Sequence, residues 1–181
     1  MTARVGLPAP SFKLASTKNA TSSKDLGFQI ALEDYRGTWL VFFFYPLDFT
    51  FVCPTEIAAF GDRHPAFTEA GADVVGVSID SEYVHLAWRE HHPDLKHLPF
   101  PMAADVKREL SSALGILDPT EGVALRATFI VDPEGIIRFV SVNDLDTGRN
   151  VDEVLRSLTA IQAGGLTSCG WRAGDVTLDA A

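Results

Sequence analysis

Basic residues, cysteines and long apolar runs are all scarce in this sequence. Lysine and arginine together number 15 against 24 aspartates and glutamates, a formal charge of −9. Phosphate backbones and anionic lipid headgroups need clustered Lys and Arg, so nucleic acid and membrane surfaces are disfavoured as partners. The longest apolar run, Trp39 to Tyr45, is far too short to span a bilayer. The first ten residues, with Pro8 and Pro10, lack the apolar stretch of a secretory signal. A cytoplasmic location is the resulting expectation. Internal repeats and low-complexity segments are missing too, which excludes solenoids and linker-joined arrays.

Only two cysteines are present, Cys53 and Cys169. With 46% hydrophobic residues the chain has enough apolar surface for a core, so neither a disulfide staple nor a structural metal is needed for folding. In a reducing compartment two such cysteines read as catalytic, redox-active or simply buried.

What is present reads as one α/β unit over residues 1–165 followed by a tail, 166–181. Short alternating pieces at Phe12–Leu14 and Phe28–Leu32 suggest a hairpin. Thr38–Tyr45 is apolar throughout and suits a strand buried on both faces. After a loop at 46–52 a helix is expected from Pro54, since proline is favoured at the first helical position. Pro65 should kink or end that helix. Asp73–Ile79 is β-branched and reads as a second buried strand. Ser81 caps a helix to His91, Phe100–Ala103 is a short strand, and Asp105 caps a helix to Leu114. Arg126–Val131 and Ile136–Val142 form a hairpin about Asp132-Pro-Glu-Gly135. A last helix, Val151–Gln162, carries an apolar face at Val151, Val154, Leu155, Leu158 and Ile161. The order implies a central mixed sheet with helices on both faces.

Cys53 falls where a strand has ended and a helix begins. Unpaired N–H groups and the positive end of the helix dipole there favour a thiolate. Free cysteines are equally often small buried hydrophobes, so position alone leaves both readings open. Thr50 lies within reach of the sulfur, or is an ordinary turn hydroxyl. A thioredoxin-type dithiol needs a second cysteine at the position of Glu56, so local disulfide cycling is excluded. If Cys53 is redox-active, Cys169 is the only other thiol available.

The segment Phe44-Tyr-Pro-Leu-Asp-Phe-Thr-Phe-Val-Cys53-Pro-Thr-Glu56 resembles the active-site signature of typical two-cysteine peroxiredoxins, the group that contains bacterial alkyl hydroperoxide reductase. Arg126-Ala-Thr-Phe-Ile-Val-Asp-Pro133 is similar to that family's arginine-bearing strand, His85-Leu-Ala-Trp88 to its second helix start, and Ser168-Cys-Gly-Trp-Arg-Ala-Gly-Asp175 to its resolving-cysteine tail. The tail departs from the usual Cys-Pro-Ala-Gly-Trp, because Gly170 and Trp171 follow Cys169 directly.

The resemblance implies a thioredoxin-like fold and reduction of hydrogen peroxide and organic hydroperoxides. Cys53 would be the attacking cysteine, Thr50 and Arg126 its activating partners, Pro46 the shield of the pocket, and Glu56 and Trp88 supporting neighbours. Cys169 would condense with the Cys53 sulfenic acid to give a disulfide, contributed by the partner subunit of a homodimer that can assemble into a decameric ring. Thioredoxin or an alkyl hydroperoxide reductase flavoprotein would recycle it, with no cofactor and no metal held by the chain. Neither the Gly-Gly-Leu-Gly loop nor the terminal Tyr-Phe helix of easily over-oxidised members stands here, so resistance to sulfinic acid formation is expected. A Cys–His hydrolase, a peroxide sensor or holdase chaperone, and a metal site at His91, His92 and His97 are the competing readings.

Overall fold

The computed structural model describes residues 4–179. Seven strands form one mixed sheet in the order β2-β1-β5-β4-β3-β6-β7. They are β1 (Lys13–Ser16), β2 (Gln29–Ala31), β3 (Trp39–Phe44), β4 (Ala72–Ser78), β5 (Met102–Ala104), β6 (Arg126–Val131) and β7 (Ile137–Asn143). The central β3 runs parallel to β4 and antiparallel to β6, and β5 runs parallel to β4. The expected hairpin near the start is β1–β2, and the second is β6–β7 about Asp132–Gly135. At that turn Asp132 accepts from the N–H groups of Glu134 and Ile136.

β3 explains why the sheet is covered twice. Its residues alternate between two fully buried faces, Phe42 and Phe44 on one and Val41 and Phe43 on the other, so neither face can be left to water. Helices α1 (Cys53–Glu69) and α4 (Val151–Ala163), with Trp88 of α2 (Glu82–His91), cover the Phe43 face. Helix α3 (Glu109–Leu114) and the 3₁₀ turn at Leu32–Tyr35 cover the Phe42 face. On the α1 side Phe43 stacks on Phe60 of α1 with ring centroids 4.0 Å apart and planes 7° from parallel. Gly76 of β4 leaves room for that ring, since a Cβ there would lie 3.0 Å from it.

Among the boundaries that differ from the sequence expectation, three lie in helices α1 and α3. α1 neither stops nor divides at Pro65 but continues to Glu69. Proline removes one backbone hydrogen bond, a cost of about 3 kcal/mol. Beyond it, Phe67 is fully buried with its ring 5.9 Å from that of Phe60, and this burial holds the last turn. α1 also begins one residue early, placing Pro54 after Cys53 in the first turn. α3 starts at Glu109, four residues later than expected, because Val106–Arg108 turn through a left-handed Arg108 with φ of 59°. Asp105 still serves as the cap across that turn, accepting from the N–H groups of Leu110 and Ser111. Ser81 caps α2 as expected, and Asn150 caps α4.

The tight ring packing at Gly76 gives a direct check. Gly76→Val should force Phe43 from its stack and lower unfolding free energy by about 1–3 kcal/mol, measured as a lower urea midpoint with unchanged slope.

Candidate active site

Cys53 is the first residue of α1 and has no solvent-exposed surface. The chain reaches it through residues 46–52, which leave the end of β3. Its Sγ accepts a hydrogen bond from Arg126 Nη1 at 3.3 Å. Arg126 opens β6, antiparallel to β3 and next to it in the sheet, which brings the guanidinium to the base of α1. The same Nη1 donates to Glu56 Oε2 at 2.6 Å, and Nε donates to the Leu145 carbonyl at 2.6 Å.

Glu56 sits one turn along α1 from Cys53 and is also buried. A second arginine, Arg149, grips it from the loop before α4. Arg149 donates through Nε and its backbone N–H to Glu56 Oε1, at 2.8 and 2.9 Å, and through Nη2 to Oε2 at 3.1 Å. Its remaining donors reach the carbonyls of Phe44 and Ala127 at 2.6 and 2.9 Å, and the group lies 5.2 Å from the centroid of the Phe43 ring. Burial by itself would push the Glu56 carboxyl up. The hydrogen bonds and charge of Arg149, with the charge of Arg126, outweigh burial and hold it below its ordinary value. Burial likewise opposes the charge on Arg126, but its contacts with Cys53 and Glu56 prevail and hold its proton more firmly.

Two fixed cations therefore share one carboxylate, and the cluster has room for one more negative charge at the Cys53 sulfur. Arg149 was not singled out in the sequence. It stands alone in Asp146-Thr-Gly-Arg-Asn150, with no motif spacing to betray that its loop folds back onto α1.

The other expected residues are placed less directly. Pro46 is buried at the end of β3. Thr50 donates its hydroxyl to the Leu47 carbonyl at 3.0 Å, the ordinary turn bond, and not to the sulfur. Trp88 is buried against Tyr45 and Phe49, at centroid separations of 6.2 and 5.8 Å. Cys169 is an exposed free thiol, far from Cys53 in environment. Its tail is seated rather than loose: Trp171 is buried, its carbonyl accepts from Arg156 of α4 at 3.0 Å, and its indole donates to the Asp175 carbonyl. Among the described residues, no three His, Cys, Asp or Glu side chains are grouped to hold a metal, and no helix is long and apolar enough to cross a membrane.

Comparison with known proteins shows the family and the fold. The AhpC/TSA family matches residues 5–140. Alkyl hydroperoxide reductase C of Mycolicibacterium smegmatis is 53% identical over 165 residues, covering 91% of this chain and 84% of that one. Peroxiredoxin-2 of Macaca fascicularis is 46% identical, covering 97% and 89%. The solved structure of Mycobacterium tuberculosis AhpC superposes with a TM-score of 0.85 at 47% identity, covering 95% of this chain and all of that one. The thioredoxin-like fold expected from the resemblance is thus shown.

Because Glu56 is held below its usual 4.5, it contributes stability that is complete above that pH and is lost as pH falls through the folded value. Glu56→Gln should lose about 3–5 kcal/mol at neutral pH, since two buried cations lose their counter-charge. Its unfolding free energy should also fall less steeply between pH 5 and 3 than the parent's, as read from urea titrations at each pH.

Proposed function

Since the chain belongs to the AhpC/TSA family, we propose that it is a thiol peroxidase that reduces hydrogen peroxide and organic hydroperoxides through Cys53 and Cys169. The observation that carries this reading is the buried Cys53 sulfur, 3.3 Å from Arg126 in a cluster one negative charge short of balance.

An ionised sulfur there completes the charge count and is the nucleophile. It bonds to one peroxide oxygen as the O–O bond breaks. The leaving oxygen departs as an anion and takes up a proton, giving water or an alcohol. Arg126, whose Nη1 already lies against the sulfur, stabilises the charge as it develops, and burial keeps that interaction strong. Thr50 keeps free lone pairs on its hydroxyl oxygen and can accept from the peroxide O–H. Pro46 shields the pocket, Glu56 and Arg149 fix the angle of Arg126, and Trp88 supports the preceding loop through Phe49.

The product at Cys53 is a sulfenic acid. The Cys169 thiol attacks its sulfur, the S–S bond forms, the S–O bond breaks, and the hydroxyl leaves as water. A buried thiol in a helix and an exposed one on a seated tail cannot meet disulfide geometry without movement of both segments. Cys169 is supplied by the partner subunit of a homodimer, the building block of a decameric ring. The disulfide is reduced by thioredoxin or a hydroperoxide reductase flavoprotein in the cytoplasm. Residues 1–165 form the peroxidase unit and 166–181 the resolving tail.

Peroxide consumption with a thiol donor tests the assignment. Cys53→Ser should abolish turnover; Cys169→Ser should still consume one peroxide per Cys53 but fail to form the disulfide-linked dimer on a non-reducing gel. Normal turnover by Cys53→Ser would overturn the reading. Arg126→Gln should slow the first oxidation of Cys53 by about 10²-fold, measured by stopped flow under single turnover.

A further inference from the structure

Asp48 lies within the loop, residues 46–52, that delivers the chain from β3 to Cys53. Its carboxylate accepts from the Tyr45 hydroxyl at 2.8 Å and meets His85 Nδ1 at 2.7 Å. The backbone N–H of Asp48 donates to Asp80 at 2.8 Å, and the Ser78 hydroxyl holds Asp80 in turn. On its other side His85 Nε2 faces the Ala103 carbonyl at 3.2 Å. That carbonyl only accepts, so Nε2 is the ring nitrogen that donates to it, and Nδ1 is the one turned to the Asp48 carboxylate. The ends of β3, β4 and β5 and the first turn of α2 thus converge on one loop residue. The His85 and Asp48 side chains are 0% and 1% exposed, and neither hydrogen-bonds Cys53, Glu56, Arg126 or Arg149.

The residue after Asp48 adds a second observation. Phe49 has φ of 56°, a left-handed conformation that a bulky side chain keeps only where its surroundings over-determine it. The residue is 58% exposed, so burial does not account for the strain; the contact with Trp88 and the anchoring of Asp48 are what hold it. Thr50 follows directly.

We infer that His85 and Asp48 are positioning residues for the peroxide step, holding the 46–52 loop in its strained form so that Thr50 and Cys53 meet the peroxide together. The inference rests on the reading of Cys53 as the attacking sulfur. A loop needs no buried ionisable pair merely to stay folded, because apolar side chains of the same volume pack as stably. What directional bonds to a carboxylate and a ring nitrogen supply in addition is a single loop conformation, and that conformation is the strained one beside the nucleophile.

The test compares two reagents on the reduced full-length protein under single turnover. Hydrogen peroxide needs Thr50 and Cys53 in register, whereas iodoacetamide needs only access to a reactive sulfur. In His85→Gln the peroxide rate should fall about tenfold or more while the alkylation rate stays at or above the parent's value. Adding Phe49→Gly, which takes the left-handed backbone without strain, should restore part of the loss. Asp48→Asn should mimic His85→Gln; if it does not fold, the His85→Gln and Phe49→Gly pair carries the test. An unchanged peroxide rate, equal changes with both reagents, or no recovery with Phe49→Gly would each overturn the inference. If the parent protein shows no Cys53-dependent peroxide consumption, it is the proposed function that fails, and this is seen before any His85 variant is compared.

Discussion

A single carboxylate gripped by two buried guanidinium groups organises this molecule. Glu56 accepts from Arg126 and from three donors of Arg149, and those arginines come from β6 and from the loop before α4. The helix that bears Cys53, the strand beside β3 and the closing helix are thereby tied at one point. An ion cluster of this kind is expensive to remove from water, and packed apolar residues would stabilise the fold as well. Its value lies in leaving one position, the Cys53 sulfur, where negative charge completes the count.

The sheet sets where that position falls. β3 is central, so the chain leaving it emerges where the parallel strands β3, β4 and β5 all end, the usual crevice of open α/β sheets. β6 runs the opposite way beside it and so begins, at Arg126, where β3 ends. An arginine at the first residue of an antiparallel neighbour is thus delivered to the foot of the helix after β3. Register, rather than any local sequence signal, brings residues 53 and 126 together.

Much of this was legible in advance. The unbroken apolar run of β3, the proline after Cys53, the cap Ser81 and the stripe on α4 act through neighbours in sequence, and each is found in the structure. What sequence neighbours leave open depends on distant partners. Pro65 stays within α1, whose last turn is held by the buried Phe67, and of the two readings of Thr50 the turn bond to Leu47 is the one found. Arg149 and the Tyr45–Asp48–His85 network carried no signal of their own: an isolated arginine and an isolated histidine acquire meaning only when the fold shows which carboxylate each one faces. The tail, too, is placed by distant partners: Trp171 seats it on α4, its carbonyl accepting from Arg156 across 15 residues of chain.

Complete burial of Cys53 then bears on selectivity. A sulfur with no exposed surface reacts only with a molecule small enough to enter behind the 46–52 loop, or when that loop and the first turn of α1 open. In the proposed mechanism the same helical turn has a second task, to let another thiol reach a sulfur that α1 buries. The first turn of α1 is therefore asked for rigidity in one step and for release in the next. The cluster around Glu56 serves the first demand. The second falls on the cap at Val52, whose side chain makes no hydrogen bond; there the turn is held through the Val52 carbonyl, which accepts from the N–H groups of Thr55 and Glu56 and from the Thr55 hydroxyl.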